Sequence, residues 1–516
     1  MARPSGPGGE LKIIGDLSRL TARRFPSKPA FILGDEALTF SDVNRRSNAL
    51  AHGLLAQGTS KGDRIALVAG TVIDYAVYSQ AIAKAGAIIV PVNPRLTAAE
   101  MVHVLADSGA GLILAEDGLL TVVREAGAAI APQPRVIALS ETAALAQGDP
   151  EVTPDLGVVP TDAATIMYTS GTTGKPKGVL ISHAGHFQLL EAQIVELEMN
   201  SRDVVHIASP LFTNGGLTGG INCSLWLGMT SVFHGGNFDP ARVLAMVEKN
   251  RVTIGFWVPT MLSILCDHEG VDGYDLSSVS KIYYGSMPTD PALLARARKQ
   301  FPAARFYQIY GSTECGFVGS LHPSVEAPFD ACTGREAFNC EAAILDENDR
   351  QVAVGEVGEI AVKQNSAGMI GYWNNPDETG RTTRNGWIRS GDLARREDDG
   401  FFTVVGRARD LIISGAENIY PKEIELVIAE HPAVMEVAVF GIPDAKYGEA
   451  VCAAVALKPG AALEAAEIEA LCLEKLARYK RPRRIEFHDH LPRNAMGKIT
   501  KQPLREAHWR DKGRTI

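Results

Sequence analysis

The chain has no closely spaced cysteine pair: Cys223, Cys266, Cys315, Cys332, Cys340, Cys452 and Cys472 are odd in number and scattered, without a CxxC motif. That excludes a zinc or redox motif of that type and a disulfide framework, and favours a reduced, cytoplasmic setting. No run of about 18 uncharged apolar residues is present, so no membrane-spanning helix is expected. The opening MARPSGPGGE lacks the apolar core of a signal peptide. Basic charge is also short, with 51 Lys and Arg against 60 Asp and Glu and a net charge of -9. A broad basic surface for nucleic acid or acidic membranes is thereby excluded, and any polyanion must be gripped locally. There is no internal repeat and no long low-complexity segment.

What is present is length and apolar material. With 516 residues, 46% of them hydrophobic, the chain exceeds what one core usually supports. The first half alternates short apolar strands with helical stretches, the pattern of an α/β fold with mainly parallel sheets. ALTF leads through Ser41 into a helix ending near Gly58, DRIALV precedes a helix from Tyr75 to Ala85, and IIVPV precedes Thr97-Ala-Ala-Glu100, which has capping-box spacing. From about residue 330, short alternating strands such as GEVGEIAV and GFFTVVG predict a smaller β-rich subdomain. The tail reads as α+β: Pro421 at a helix N1 position, a helix halted before Pro432, the strand VMEVAVFGI, and a helix from about Glu464 to Ala477.

Four segments carry chemistry. Tyr168-Thr-Ser-Gly-Thr-Thr-Gly-Lys-Pro-Lys-Gly178 packs hydroxyls, glycines and two lysines behind the strand ATIM. Such a loop presents N–H groups, hydroxyls and ammonium to a polyphosphate, although it lacks Walker A spacing. Tyr310-Gly-Ser-Thr-Glu314 offers an aromatic face for a purine, a hydroxyl for phosphate and a carboxylate for Mg2+. Read alone, it is a Tyr-Gly turn with a solvated glutamate. Ser390-Gly-Asp392 lies ahead of Gly406-Arg407, and Leu491-Pro-Arg-Asn-Ala-Met-Gly-Lys498 ends on a lysine after glycine.

In this order and at these separations the four segments resemble the ANL superfamily of adenylate-forming enzymes, which includes acyl-CoA synthetases. Gly285-Ser-Met-Pro288 and Ser414-Gly-Ala-Glu-Asn-Ile-Tyr-Pro421 resemble two further family segments. The resemblance implies a large N-terminal domain of stacked, mainly parallel sheets with helices (1–405), a hinge (406–410) and a small mobile C-terminal α+β domain (411–516). It implies an acyl-CoA synthetase using ATP, Mg2+ and coenzyme A, in which a carboxylic acid becomes an acyl-adenylate and then a thioester.

By the same resemblance Thr169, Ser170, Gly171, Thr172, Thr173, Gly174 and Lys177 embrace the ATP phosphates, Thr313 joins them, and Gly285, Ser286 and Gly311 belong to the ATP/AMP site where it borders the acid pocket. Tyr310 faces the adenine, Asp392 and Arg407 hold the ribose, and Glu314 is the metal ligand. Lys498 is the catalytic lysine, acting electrostatically together with Glu314 and Thr169. The acyl pocket is expected from Phe212, Thr213, Asn214, Gly215, Phe256, Trp257 and Met287, although Trp257 serves equally as core packing. Gly415, Ala416 and Glu417 are the implied coenzyme A tunnel, with Ala416 where the family usually has Gly, and Arg409 is the hinge residue. The largely apolar lining favours a fatty, alicyclic or aromatic acid over an amino acid.

Two rival readings share these residues: an acyl-AMP ligase loading a carrier protein, and a non-catalytic nucleotide-binding regulator. A lysine acetyltransferase acting on Lys498 is a further expected partner, because acetylation removes the charge. The sequence leaves room for a homo-oligomer. The basic run Arg478, Lys480, Arg481, Arg483 and Arg484, with Lys446, reads mainly as a solvated face.

Overall fold

The computed structural model describes residues 13–169, 175–286, 289, 291–323, 332–415, 417–493 and 499–510. The chain divides into two compact units, Met1–Ala343 with Ala361–Ser390, and Ile344–Ile360 with Gly391–Ile516. This break lies earlier than the 406–410 segment, which falls inside the second unit. The β-rich stretch explains the difference, since Asp392 to Arg396 is laddered to Phe402 to Arg407 and stays with the tail.

The first unit holds two large sheets. In one, the order is Arg335–Glu336, Gly316–Leu321, Arg305–Ser312, Lys281–Gly285, Ile254–Phe256, Val204–Ile207, Thr230–Phe233, Pro29–Leu33 and Glu36–Thr39. Strands from Arg305–Ser312 to Pro29–Leu33 run parallel, and the outer ones are antiparallel. The other sheet runs Met369–Tyr372, Lys177–Ser182, Ala163–Thr169, Ile88–Val92, Arg64–Val68, Leu112–Ala115 and Arg135–Ala138. Its last five strands are parallel. Central strands with both faces covered need apolar residues throughout, and Ile88–Val92 is buried at every position.

The helices begin where short polar side chains can satisfy their first N–H groups. Thr97 and Glu100 form the expected capping box of Ala98–Ser108, each bonding the other's backbone N–H. The helix after ALTF starts at Phe40, within that run and ahead of Ser41, and Thr39 is its cap, in a second box with Asp42. Loss of such a cap costs about 1 kcal/mol. Val243, Leu244, Val247, Leu262, Leu265, Ile282 and Phe301 pack into one core cluster of this unit.

In the second unit a sheet runs Glu417–Ile419, Ile412–Ser414, Gly448–Leu457 and Val434–Asp444, with Arg484–His488 parallel to Gly448–Leu457. Helix Pro421–Ala429 begins with proline in its first turn, as expected, because that position needs no N–H donor. Ile412, Ile424, Ile428, Val439, Val451, Val455 and Ile468 form the core beneath. All seven cysteines are free thiols, six of them buried. Among the described residues no helix is long and apolar enough to cross a membrane.

Candidate functional site

The hydroxyl-rich loop springs from a β-ladder. Strand Ala163–Thr169 pairs antiparallel with Lys177–Ser182, and this register sets Thr169 directly opposite Lys177. Ser170, Gly171, Thr172, Thr173 and Gly174 lie outside the described residues. The strand is tied down by Tyr168, whose hydroxyl donates to Asp107 Oδ2 at 2.6 Å. Lys177 is well buried and ion-paired with Glu378, and its ammonium lies 5.7 Å from the centre of the Tyr372 ring. A phosphate must therefore take this ammonium from a carboxylate.

The second segment is a hairpin tip. Strand Arg305–Ser312 runs through Tyr310 and Gly311, and Thr313, Glu314 and Cys315 make the turn into Gly316–Leu321. Cys315 N–H donates to Ser312 Oγ at 3.0 Å. Glu314 is not the freely solvated side chain of an ordinary turn: the Tyr372 hydroxyl donates to its Oε1 at 3.0 Å. Gly311 is required by close packing, since a Cβ there would sit 2.2 Å from the carbonyl oxygen of Gly316.

On the neighbouring strand, Gly285 is under the same constraint, with a Cβ falling 2.2 Å from the carbonyl oxygen of Ile309. Ser286 follows in the left-handed region at φ 66°. A non-glycine residue held there costs about 1–3 kcal/mol, a form of strain that clusters at functional sites. Met287 lies outside the described residues.

Phe212, Thr213, Asn214 and Gly215 are half-buried at the start of a short helix. Thr213 Oγ1 donates to the Pro210 carbonyl at 2.7 Å and accepts from Gly216 N–H at 3.1 Å. The helix continues as a π-helical turn, Leu217–Asn222, a feature concentrated at functional sites that no sequence period announced. A Cβ on Gly215 would meet Ser209 Oγ at 3.6 Å and the half-buried Phe256 at 3.8 Å. Trp257 belongs to the core: it is 0% exposed, and its indole N–H donates to His206 Nδ1 at 2.8 Å.

In the second unit, Asp392 and Arg407 face each other across the ladder, with Arg407 Nε 3.0 Å from Asp392 Oδ1. Lys422, which no sequence motif singles out, donates to the Val404 carbonyl at 2.7 Å. Burial pushes its ammonium down to about 8, against the pull of Glu425 and Asp392. Arg409 sits in the single turn Ala408–Asp410, its carbonyl accepting from Arg505 at 3.1 Å. Gly415 has φ 67° and donates to the Tyr447 carbonyl at 2.7 Å, and Glu417 is exposed. Ala416 and Lys498 lie outside the described residues.

Members of the basic run are largely spoken for, Lys480 by Glu423, Arg481 by Glu469 and Arg484 by Glu486. Cys452, Glu486 and His508 have ligand-type atoms within 4.8 Å of one another. Arg484 occupies Glu486 at 2.6 Å, and burial pushes the Cys452 thiol up to about 12, so this group is satisfied as an ion-pair network beside a core thiol.

Tyr372 and Glu378 also escape a reading of the sequence alone. Glu378 is separated from Lys177 by 201 positions, a pairing that local spacing does not encode. The available signal was Asn375-Pro-Asp-Glu378, a helix start with an acidic first turn.

Residues 19–373 match the family described as AMP-binding enzyme, and 423–498 match the AMP-binding enzyme C-terminal domain. A fatty acid–[acyl-carrier-protein] ligase of Streptomyces coeruleorubidus is 34% identical, over 98% of both chains. A feruloyl-CoA synthase of an Amycolatopsis species is 36% identical, over 94% of this chain and 96% of its own. Among solved structures, the o-succinylbenzoate CoA synthetase of Bacillus subtilis in complex with its acyl-adenylate aligns with a TM-score of 0.85 and 31% identity, covering 95% of this chain and 98% of its own.

Proposed function

We propose that this chain, which belongs to the AMP-binding enzyme family, is an acyl-CoA synthetase that converts a fatty, alicyclic or aromatic acid to its coenzyme A thioester by way of an acyl-adenylate. The observation that carries the reading is the meeting of a phosphate-type cation and a metal-type carboxylate at one side chain. Lys177 lies over the Tyr372 ring, and Glu314 accepts from the Tyr372 hydroxyl.

A carboxylate is a poor acyl donor and needs a better leaving group before a thiol can displace it. In the first half-reaction the substrate carboxylate oxygen bonds to the α-phosphorus of ATP as the bond to pyrophosphate breaks. Lys177 and Thr169 hold the phosphates, and Lys498 neutralises the charge gathering between carboxylate and α-phosphate. Glu314, a partly buried oxygen donor with Oε1 already engaged, suits Mg2+, which prefers oxygen ligands shared with substrate phosphates. Bound with ATP, Mg2+ supplies charge neutralisation on the phosphates. In the second half-reaction the thiol sulfur bonds to the acyl carbon, the bond to AMP breaks, and the thiol proton is released.

Asp392 and Arg407 are the proposed ribose contacts. Gly415, Ala416 and Glu417 are proposed along the path of the pantetheine arm. The acid preference rests on the half-buried Phe212, on Phe256 beside Gly215, and on the lack of an acidic residue among Phe212, Thr213, Asn214, Gly215, Phe256 and Met287 to meet an α-ammonium. Seven free thiols favour a reducing compartment.

The test incubates the protein with Mg-ATP and a panel of fatty, alicyclic, aryl and amino acids, with and without coenzyme A. Pyrophosphate, AMP and acyl-CoA are followed together, and acid-dependent release with matching acyl-CoA is expected. Pyrophosphate without acyl-CoA would move the acceptor to a carrier protein, the reading favoured by the Streptomyces relative. No turnover with any acid would overturn the enzyme reading altogether.

Arg409 is proposed as the hinge, where backbone rotation would change which loop of the tail reaches the substrate. Proline fixes φ, so Arg409→Pro is expected to slow thioester formation about 10-fold or more while leaving ATP binding nearly intact. Parallel loss of both, in single-turnover and nucleotide-binding assays, would remove residue 409 from that role.

A further inference from the structure

We propose that Tyr372 is a positioning residue for Glu314, fixing that carboxylate so that its second oxygen is presented to the divalent cation accompanying ATP. This rests on the assignment of Glu314 as the metal ligand. The phenol is the hydrogen-bond partner of Glu314 Oε1 at 3.0 Å. The phenol donates this bond as a neutral hydroxyl, the ordinary state of a tyrosine side chain near neutral pH.

The backbone that carries the phenol is itself anchored. Tyr372 N–H donates to Thr379 Oγ1 at 2.9 Å, and Thr379 Oγ1 donates to the Asn375 carbonyl at 2.9 Å. The ring belongs to strand Met369–Tyr372, whose register sets Tyr372 opposite Val179 on the strand that begins with Lys177. One rigid side chain thus references the carboxylate on the hairpin tip to the strand that carries the phosphate-binding lysine. A neutral donor is well suited here, because it orients the carboxylate without cancelling the negative charge that a cation needs. An arginine or lysine in its place would compete with the metal.

A glutamate on a turn has three rotatable bonds, and an untethered carboxylate pays for its ordering when the metal arrives. Hydrogen bonds to a charged group are among the stronger ones, so their loss is readable in a titration.

The experiment titrates Mg2+ at fixed ATP, in the presence of the best acid, with the full-length protein and its Tyr372→Phe, Glu314→Gln and double variants. Pyrophosphate release is the readout. Phenylalanine keeps the ring, its packing and the face beneath Lys177, and removes only the hydroxyl. Tyr372→Phe is expected to raise the half-saturating Mg2+ concentration about 10-fold with an unchanged melting temperature. Glu314→Gln should raise it at least as far, and the double variant should add little to Glu314→Gln. A shift in Glu314→Gln with none in Tyr372→Phe overturns the proposal, as does full additivity in the double variant. No shift in Glu314→Gln overturns the metal-ligand assignment instead, and the inference falls with its premise. Should Tyr372→Phe fail to fold, Thr379→Val, which removes the acceptor of the Tyr372 N–H, carries the test, with a smaller shift in the same direction expected and no shift counting against the proposal.

Discussion

Lys498→Ala is expected to lower acyl-adenylate formation by about 10²–10³-fold, the cost of removing one pre-placed charge from a transition state that gathers negative charge. The size of the effect follows from where the charge is needed. Two anions, a carboxylate and a triphosphate, must come into bonding contact, and Lys498 is assigned to the gap between them. Lys177 and Glu314 are proposed to serve the phosphates and their cation, and in that arrangement neither replaces it. The same variant, supplied with synthetic acyl-adenylate and coenzyme A, is expected to form thioester at close to the parent rate, because the second step expels AMP and needs no charge in that gap. Single-turnover assays of the two half-reactions separate these outcomes. Equal losses in both would show that Lys498 supports structure rather than chemistry. Acetylation of Lys498 removes the same charge and carries the same expectation for the first step.

The second large effect is structural. Gly285→Ala is expected to destabilise the protein by about 1–3 kcal/mol and to abolish most turnover, since the added methyl would lie 2.2 Å from the Ile309 carbonyl oxygen and 2.8 Å from Ile309 Cγ1. The backbone atom cannot step aside without moving the strand that continues into Tyr310 and Gly311. Lys281–Gly285 is laddered in parallel to that strand, with Gly285 opposite Ile309. The distortion therefore reaches the proposed adenine face and the strained Ser286 turn together. A chemical denaturation series gives the stability loss, and nucleotide titration gives the loss of ATP affinity. A variant with parent-like stability and affinity would mean that the two strands separate at little cost.

Much of this architecture is legible in the chain because local physics writes it there. The Thr97 and Glu100 spacing marks a real helix start, and Pro421 marks another. Strands buried on both faces announce themselves as apolar runs, as in Ile88–Val92. The helix after ALTF begins at Phe40, inside the apolar run, because Thr39 and Asp42 close a capping box there, and only the ladder shows where the strand lets go. The break between units falls earlier than the sequence suggests because the β-rich stretch reads as continuous along the chain, whereas pairing is decided across the ladder.

The site is legible to the extent that its residues fall in dense local motifs. Lys177, Tyr310, Glu314, Asp392 and Arg407 belong to such motifs. Their partners do not: Tyr372 and Glu378 meet Glu314 and Lys177 through sheet pairing, so their role has no signature along the chain. Trp257 is ambiguous in sequence for a related reason, since an aromatic at a strand end suits core or pocket, and the bond to His206 assigns it to the core.

The buried thiols bear on a hazard inherent in the proposed chemistry. An acyl-adenylate is a potent electrophile, and it is made in order to react with sulfur. Burial pushes the thiols of Cys223, Cys340 and Cys452 up to about 12, and those of Cys266 and Cys472 up to about 11. At pH 8 a thiol of the first kind is thiolate in about one molecule in 10⁴, and only the thiolate is an effective nucleophile. These five thiols are thereby poor competitors with the acceptor for the activated acyl group.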